Sequence, residues 1–169
     1  AAIAAAWLHG ARPDEIRSAM ATFSGAERRF DIRLRNDRVV LIDDYAHHPE
    51  ELTRSILSVK ELYAGRRITG IFQPHLYSRT RDFADEFARS LSLLDELILV
   101  DIYPAREDPI PGVTSEMILE HVTIADKRCC TKAELPDIIA AGTFDVVLIL
   151  GAGDIDRLVE PIRQILAQR

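Results

Sequence analysis

A chain of 169 residues with 47% hydrophobic content is long enough to bury the core of one domain and to carry a short appendage. Its formal net charge is −6, from 21 Lys and Arg against 27 Asp and Glu; with no basic stripe to neutralise duplex phosphates, general nucleic-acid binding is disfavoured, while local arginines can still hold small anions. The only cysteines, Cys129 and Cys130, are adjacent; a disulfide between neighbours would be strained, which fits a reducing compartment.

The opening stretch "AAIAAAWLHGARP" is apolar and rich in helix-forming alanine. It lacks a basic n-region and is too short to span a bilayer, so it is not read as a signal peptide. The expectation is a chain that starts inside a helix of a longer protein. From Pro13 to about Thr22 a second helix is predicted: proline and two acids, Asp14 and Glu15, occupy the first turn, and Ile16, Ala19 and Met20 share a face. "FSGAERRF" then reads as a hinge or linker around Gly25.

"FDIRLRNDRVVLIDD" alternates apolar and polar residues on both sides of Asn36-Asp37, the pattern of a hairpin. Four short apolar runs, "VVLID", "ITGIF", "ELILV" and "FDVVLIL", alternate with amphipathic segments near 50–63, 80–92, 114–121 and 155–167. A further helix near 132–141, with Thr131 as its candidate cap, precedes the last run. Continuous β-branched runs separated by helices belong to parallel sheets covered on both faces. The fold class expected is therefore α/β and Rossmann-like: a mostly parallel six-stranded sheet, helices on both faces, and one antiparallel edge strand.

The chemically unusual residues follow the strands. "DDYAHHP" comes after the first run, "QPHLYSRT" after the second, "DIYPARED" after the third and "GAGDID" after the fourth. In an open parallel sheet the carboxyl ends of the strands form the ligand crevice, so all four clusters would share one edge.

Each cluster also has a plainer reading. Of Asp43 and Asp44, one carboxylate could simply cap its loop. His47 and His48, adjacent on an extended segment, point to opposite sides and do not make a chelating pair; one faces the cleft and one packs. Arg79 offers a planar fork for a carboxylate or phosphate beside a helix start, or else it pairs with a surface acid. A Ser78, His75 and Asp44 triad exists only on paper, because no G-x-S-x-G elbow accompanies it. "GAGDID" is half of a dinucleotide fingerprint and is better explained by close helix-to-strand packing, and no G-x-x-x-x-G-K-[ST] phosphate loop occurs. Arg28 and Arg29 form either a solvated pair or a phosphate contact at the linker.

Taken together, "FSGAERRFD", "DDYAHHPEE", "FQPHLYSRT", "DIYPARE" and "GAGDI", in this order, resemble the carboxy-terminal region of the Mur ligases of peptidoglycan synthesis, specifically the branch joining L-alanine to UDP-N-acetylmuramate. The resemblance runs over nearly the whole chain. It implies that residues 1–24 are the tail of a central ATPase domain with its linker, and that 25–169 are the carboxy-terminal, amino-acid-binding domain. It also implies an ATP-dependent, amide-forming bacterial cytoplasmic enzyme whose ATP and Mg2+ are bound mainly by the absent central domain. This piece alone would be inactive, with no confident catalytic residue and no metal ligand. By motif, Arg29 and Asp44 would contact ATP; Tyr45, His47, His75 and Arg79 would line the alanine side, with Arg79 on the alanine carboxylate. Leu76 stands where many members carry arginine, and Ala46 where glycine is common. The alternatives are the related ligase that attaches a whole tripeptide to the same sugar, a metal-dependent hydrolase using Asp43, Asp44, His47 and His75, and a binding module without chemistry.

Overall fold

The structure, a computed structural model, describes residues 2–23 and 25–168. Ala1, Arg169 and Ser24, the last within the linker expected at "FSGAERRF", lie outside the described residues. Two short helices open the chain, α1 (Ala2–Leu8) and α2 (Pro13–Thr22), and neither buries a residue. Trp7 remains 70% exposed and Phe23 64%.

The hairpin forms as its alternation requires. Strands β1 (Asp31–Arg35) and β2 (Val40–Asp44) pair antiparallel. Asn36 makes the turn, its Oδ1 accepting the backbone N–H groups of Arg38 at 2.9 Å and Val39 at 2.8 Å. From there the chain alternates: α3 (Pro49–Leu62), β3 (Ile68–Phe72), α4 (Tyr77–Asp82), α5 (Ala84–Leu91), β4 (Glu96–Val100), α6 (Ser115–His121), β5 (Lys127–Cys130), α7 (Leu135–Ala141), β6 (Val146–Leu150) and α8 (Asp156–Ala167). The six strands lie in the order β1-β2-β6-β3-β4-β5, and every pair except β1 with β2 is parallel. This is the expected α/β, Rossmann-like sheet with its antiparallel edge.

Period-two burial divides the core. Val146, Leu148 and Leu150 of β6 join the cluster under α3, α5 and α6, while Val147 and Ile149 join the cluster under α7 and α8. Helices therefore cover both faces.

Three local readings are refined. β5, "KRCC", lacks the apolar run of its neighbours because it is an edge strand that stays partly exposed. The single amphipathic segment at 80–92 is two helices broken at Phe83, whose backbone leaves the helical region (φ −123°, ψ 21°). Helix α7 starts at Leu135, later than expected; a turn before it is closed reciprocally by Thr131, whose Oγ1 accepts the Glu134 N–H at 3.3 Å while its own N–H donates to Glu134 Oε2 at 2.8 Å.

The chain runs β2–α3–β3 past the slot that β6 later fills, so β2 and β3 flank β6. That insertion makes a switch point, and the loops after β2, β3, β4 and β6 meet on the carboxyl rim beside it.

Candidate functional site

The site begins in the linker. Arg28 and Phe30 both hold left-handed backbone conformations, φ 55° and 51°, which turn consecutive side chains to different surroundings. Arg28 is drawn inward: its Nη2 donates to the Gly151 carbonyl at 2.6 Å, and its Nε lies 3.4 Å from Asp43 Oδ2. Its own carbonyl accepts the Tyr45 N–H at 2.7 Å. Asp43 is buried, and that burial pushes its carboxyl up to about 6; the facing Arg28 opposes the rise without cancelling it. Arg29 is exposed, and both guanidiniums lie over the Tyr45 ring, that of Arg28 at 5.0 Å and that of Arg29 at 5.4 Å from its centroid. The basic pair therefore splits into one structural and one available arginine.

The turn after β2 is built by Asp44. Its Oδ1 accepts the Ala46 N–H at 3.0 Å and its Oδ2 accepts the Ser55 hydroxyl at 2.8 Å, pinning the turn to α3. Each oxygen keeps a second lone pair for a further donor. His47 Nδ1 lies 2.9 Å from the Tyr45 carbonyl, and its ring faces that of His75 at 6.1 Å. The His48 ring lies edge-on to Phe83, with centroids 6.0 Å apart. The two histidine rings nonetheless stay 5.4 Å apart and both are half-buried, so the backbone alternation does not carry them to opposite sides.

The loop after β3 completes the rim. His75 pairs with Tyr103 in an isolated parallel bridge, and their rings lie 5.6 Å apart. Burial first, then the positive charge of Arg79, holds the His75 imidazole below its ordinary pKa of 6.5. Two buried nitrogens, His75 Nδ1 and Arg79 Nη1, have no hydrogen-bond partner. Orphaned buried polar atoms are costly; the Arg79 nitrogen can only donate and so points to a missing acceptor, while the His75 nitrogen donates or accepts with the tautomer. Tyr45, His47 and His75 thus form a continuous row of rings, with Arg29 at one end and Arg79 bearing electrostatically on His75 at the other.

The loop after β6 supports this row from beneath. Buried Gln73 donates to Asp154 Oδ1 and accepts the Ile155 N–H, each at 2.9 Å. A Cβ on Gly153 would stand 2.4 Å from Gln73 Oε1 and 2.6 Å from Tyr103 Cβ. The glycine there serves tight packing, as the sequence favoured. Ser78 gives its hydroxyl to Glu107 and Asp44 accepts from Ser55, so the paper triad with His75 does not assemble. Among the described residues no group of three or more His, Cys, Asp or Glu is placed to hold a metal ion. Asp43 faces Arg28 and Asp44 faces Ser55, so the four residues of the hydrolase alternative do not converge on one point. A cleft of about 560 Å³ adjoins the rim between the carboxyl ends of β4 and β5, with Tyr77 in its wall.

Sequence reasoning left Tyr103 and Glu107 without roles and read Arg28 only as half of a basic pair, solvated or on a phosphate, whereas it is held by Gly151 and Asp43. All three lie in quoted motifs, but their partners are distant in sequence.

These features define an α/β domain with a ring-lined, arginine-flanked rim at the switch point of its sheet. Residues 28–153 match the family described as "Mur ligase, glutamate ligase domain". The whole chain is 66% identical to UDP-N-acetylmuramate–L-alanine ligase of Parabacteroides distasonis, and 98% of it is 58% identical to the Porphyromonas gingivalis enzyme of that name. In each case the chain spans 37% of the relative's length. Among solved structures, UDP-N-acetylmuramate-alanine ligase MurC from Thermotoga maritima superposes with a TM-score of 0.75 at 28% identity, over 98% of this chain and 35% of that one. A murein peptide ligase from Psychrobacter arcticus follows at 0.63 and 25%, over 99% and 35%. The chain belongs to the Mur ligase family.

Proposed function

We propose that this chain is the amino-acid-binding domain of an ATP-dependent ligase that joins L-alanine to UDP-N-acetylmuramate in peptidoglycan synthesis. The observation that carries the reading is the orphaned, buried Nη1 of Arg79 beside His75 on the carboxyl rim. A planar guanidinium with an open donor suits a carboxylate, which every α-amino acid supplies. The high identity to relatives named for L-alanine supports that substrate over a tripeptide, since the murein peptide ligase is the more distant likeness.

In this reading ATP activates the sugar's carboxylate as an acyl phosphate, and the alanine amine displaces the phosphate. Arg29, exposed at the linker, meets the nucleotide phosphates, and Asp44 offers its remaining lone pairs to the ribose. Tyr45, His47 and His75 form the wall against which alanine lies, and Arg79 holds its carboxylate. His75, kept neutral by burial and by Arg79, puts no further positive charge beside the incoming amine. No metal-holding group exists among the described residues. As the family resemblance implies for a cytoplasmic bacterial ligase, Mg2+ would be held mainly by the central ATPase domain. Among the described residues no helix is long and apolar enough to cross a membrane. Residues 1–24 are taken as the tail of the preceding ATPase domain and 25–169 as the amino-acid-binding domain; alone, the chain would have no ligase activity.

The test is amino-acid-dependent phosphate release by the full-length protein, with UDP-N-acetylmuramate and either L-alanine or the tripeptide. Release driven by L-alanine is expected, with Arg79→Ala raising the KM for alanine roughly ten- to a hundredfold, the value of a charge-assisted contact of about 1.5 to 3 kcal/mol. Release driven by the tripeptide alone, or equal effects of the variant on the KM values for alanine and ATP, would refute the assignment.

A further inference from the structure

The loop after β4 supplies a carboxylate to which the proposed function gives no role. Glu107 Oε2 accepts the Ser78 backbone N–H at 2.9 Å, and its Oε1 accepts the Ser78 hydroxyl. Both oxygens of one side chain thus engage Ser78 across 29 positions of sequence, and the Tyr77 backbone N–H adds to their hold. Such double, charge-assisted contacts fix geometry more than a single bond can.

The clamped residue is the one before Arg79. Two residues upstream, Leu76 holds φ 71°, a region that side-chain-bearing residues rarely adopt. Its N–H donates to the Tyr103 carbonyl at 2.9 Å, and the Tyr103 N–H donates to the Pro74 carbonyl at 2.8 Å. The segment 74–79 is therefore seated on 103–107 at both ends: a short ladder holds Pro74 to Leu76, and Glu107 holds Ser78. Helix α4 has only six residues, too few to set its own direction by propagation. The aim of Arg79 is imposed from the neighbouring loop.

We infer that Glu107 is a positioning residue for Arg79: by taking both donors of Ser78 it fixes the first turn of α4, and with it the angle at which the guanidinium meets the carboxylate of the amino acid. This rests on the role proposed for Arg79. It adds that the selectivity of the site for an α-carboxylate depends on a side chain that never touches the substrate.

The test measures KM for L-alanine and for ATP, with kcat, in the full-length protein carrying Glu107→Ala, Glu107→Gln, Arg79→Ala, or Glu107→Ala with Arg79→Ala. Glu107→Ala is expected to raise the alanine KM about tenfold, as loss of an orienting contact does, with ATP KM and kcat changed less than about twofold. Glu107→Gln retains an acceptor for Ser78 and should recover most of the loss. Glu107 also bears electrostatically on His75, so in the Arg79→Ala background adding Glu107→Ala should cost much less than it does alone, because most of the effect passes through Arg79. If Glu107→Ala does not fold, Ser78→Ala removes one donor and should give a smaller rise of the same kind. An unchanged fold-effect in the double variant, or a Glu107→Ala that is silent while Arg79→Ala is alanine-selective, overturns the positioning role alone. An Arg79→Ala variant with a normal alanine KM overturns the role of Arg79 and this inference together.

Discussion

Asp43 gives the sharpest check on the electrostatics beneath the site. It is 3% exposed, faces Arg28 at 3.4 Å, and leaves Oδ1 without a partner. Burial raises its carboxyl from an ordinary 3.8 to about 6. Because the folded-state value lies above the unfolded one, stability from this group is fully present below about pH 4 and is lost as pH rises through about 6. The gap corresponds to about 3 kcal/mol, at ~1.4 kcal/mol per tenfold change in proton affinity. About 2 kcal/mol of it falls between pH 4.5 and 7.5, where the chain can be handled. Asp43→Asn removes the titration but keeps the shape. Urea unfolding of both proteins across that range should show the wild type losing about 2 kcal/mol relative to the variant as pH rises. A constant difference, or a wild type that gains on the variant with rising pH, would mean that attraction to Arg28 outweighs desolvation and that the reasoning is wrong.

Other perturbations follow from the same geometry. Removing the countercharge with Arg28→Met should push Asp43 still higher, which a carboxyl 13C titration reads directly; an unchanged midpoint would deny the pair any influence. Gly70→Ala places a Cβ 2.3 Å from Leu94 Cδ1; overpacking of this kind should cost about 1 to 3 kcal/mol, and trimming Leu94 to alanine in the same chain should return part of it. Gln73→Leu strands the Ile155 N–H and one contact of Asp154, so a loss of about 1 to 3 kcal/mol in unfolding free energy is expected.

The fold was legible where burial is two-sided. "VVLIL" and "ELILV" announce buried parallel strands because both faces are covered, and Asn36 announces its turn because the side chain itself makes it. "KRCC" was silent because an edge strand owes its pairing to β4 and not to its own composition. At the site, the placement of four motifs after four strands followed from period and order alone, whereas the opposed histidines expected from extended geometry stay with their rings 5.4 Å apart. The separation of Arg28 from Arg29 could not be read, since it depends on two positive φ angles and on Asp43 and Gly151 at a distance. Glu107 was hidden for the same reason: its partner Ser78 lies in another motif, and contacts between distant motifs leave no local pattern.

The most direct measurement is a crystal structure of the full-length protein with L-alanine and a non-hydrolysable ATP analogue. The account places the alanine carboxylate within hydrogen-bond distance of Arg79 Nη1, its methyl group against the row of Tyr45, His47 and His75, and the nucleotide at Arg29. Alanine seated instead in the cleft between β4 and β5, with Arg79 Nη1 still lacking an acceptor, would contradict it.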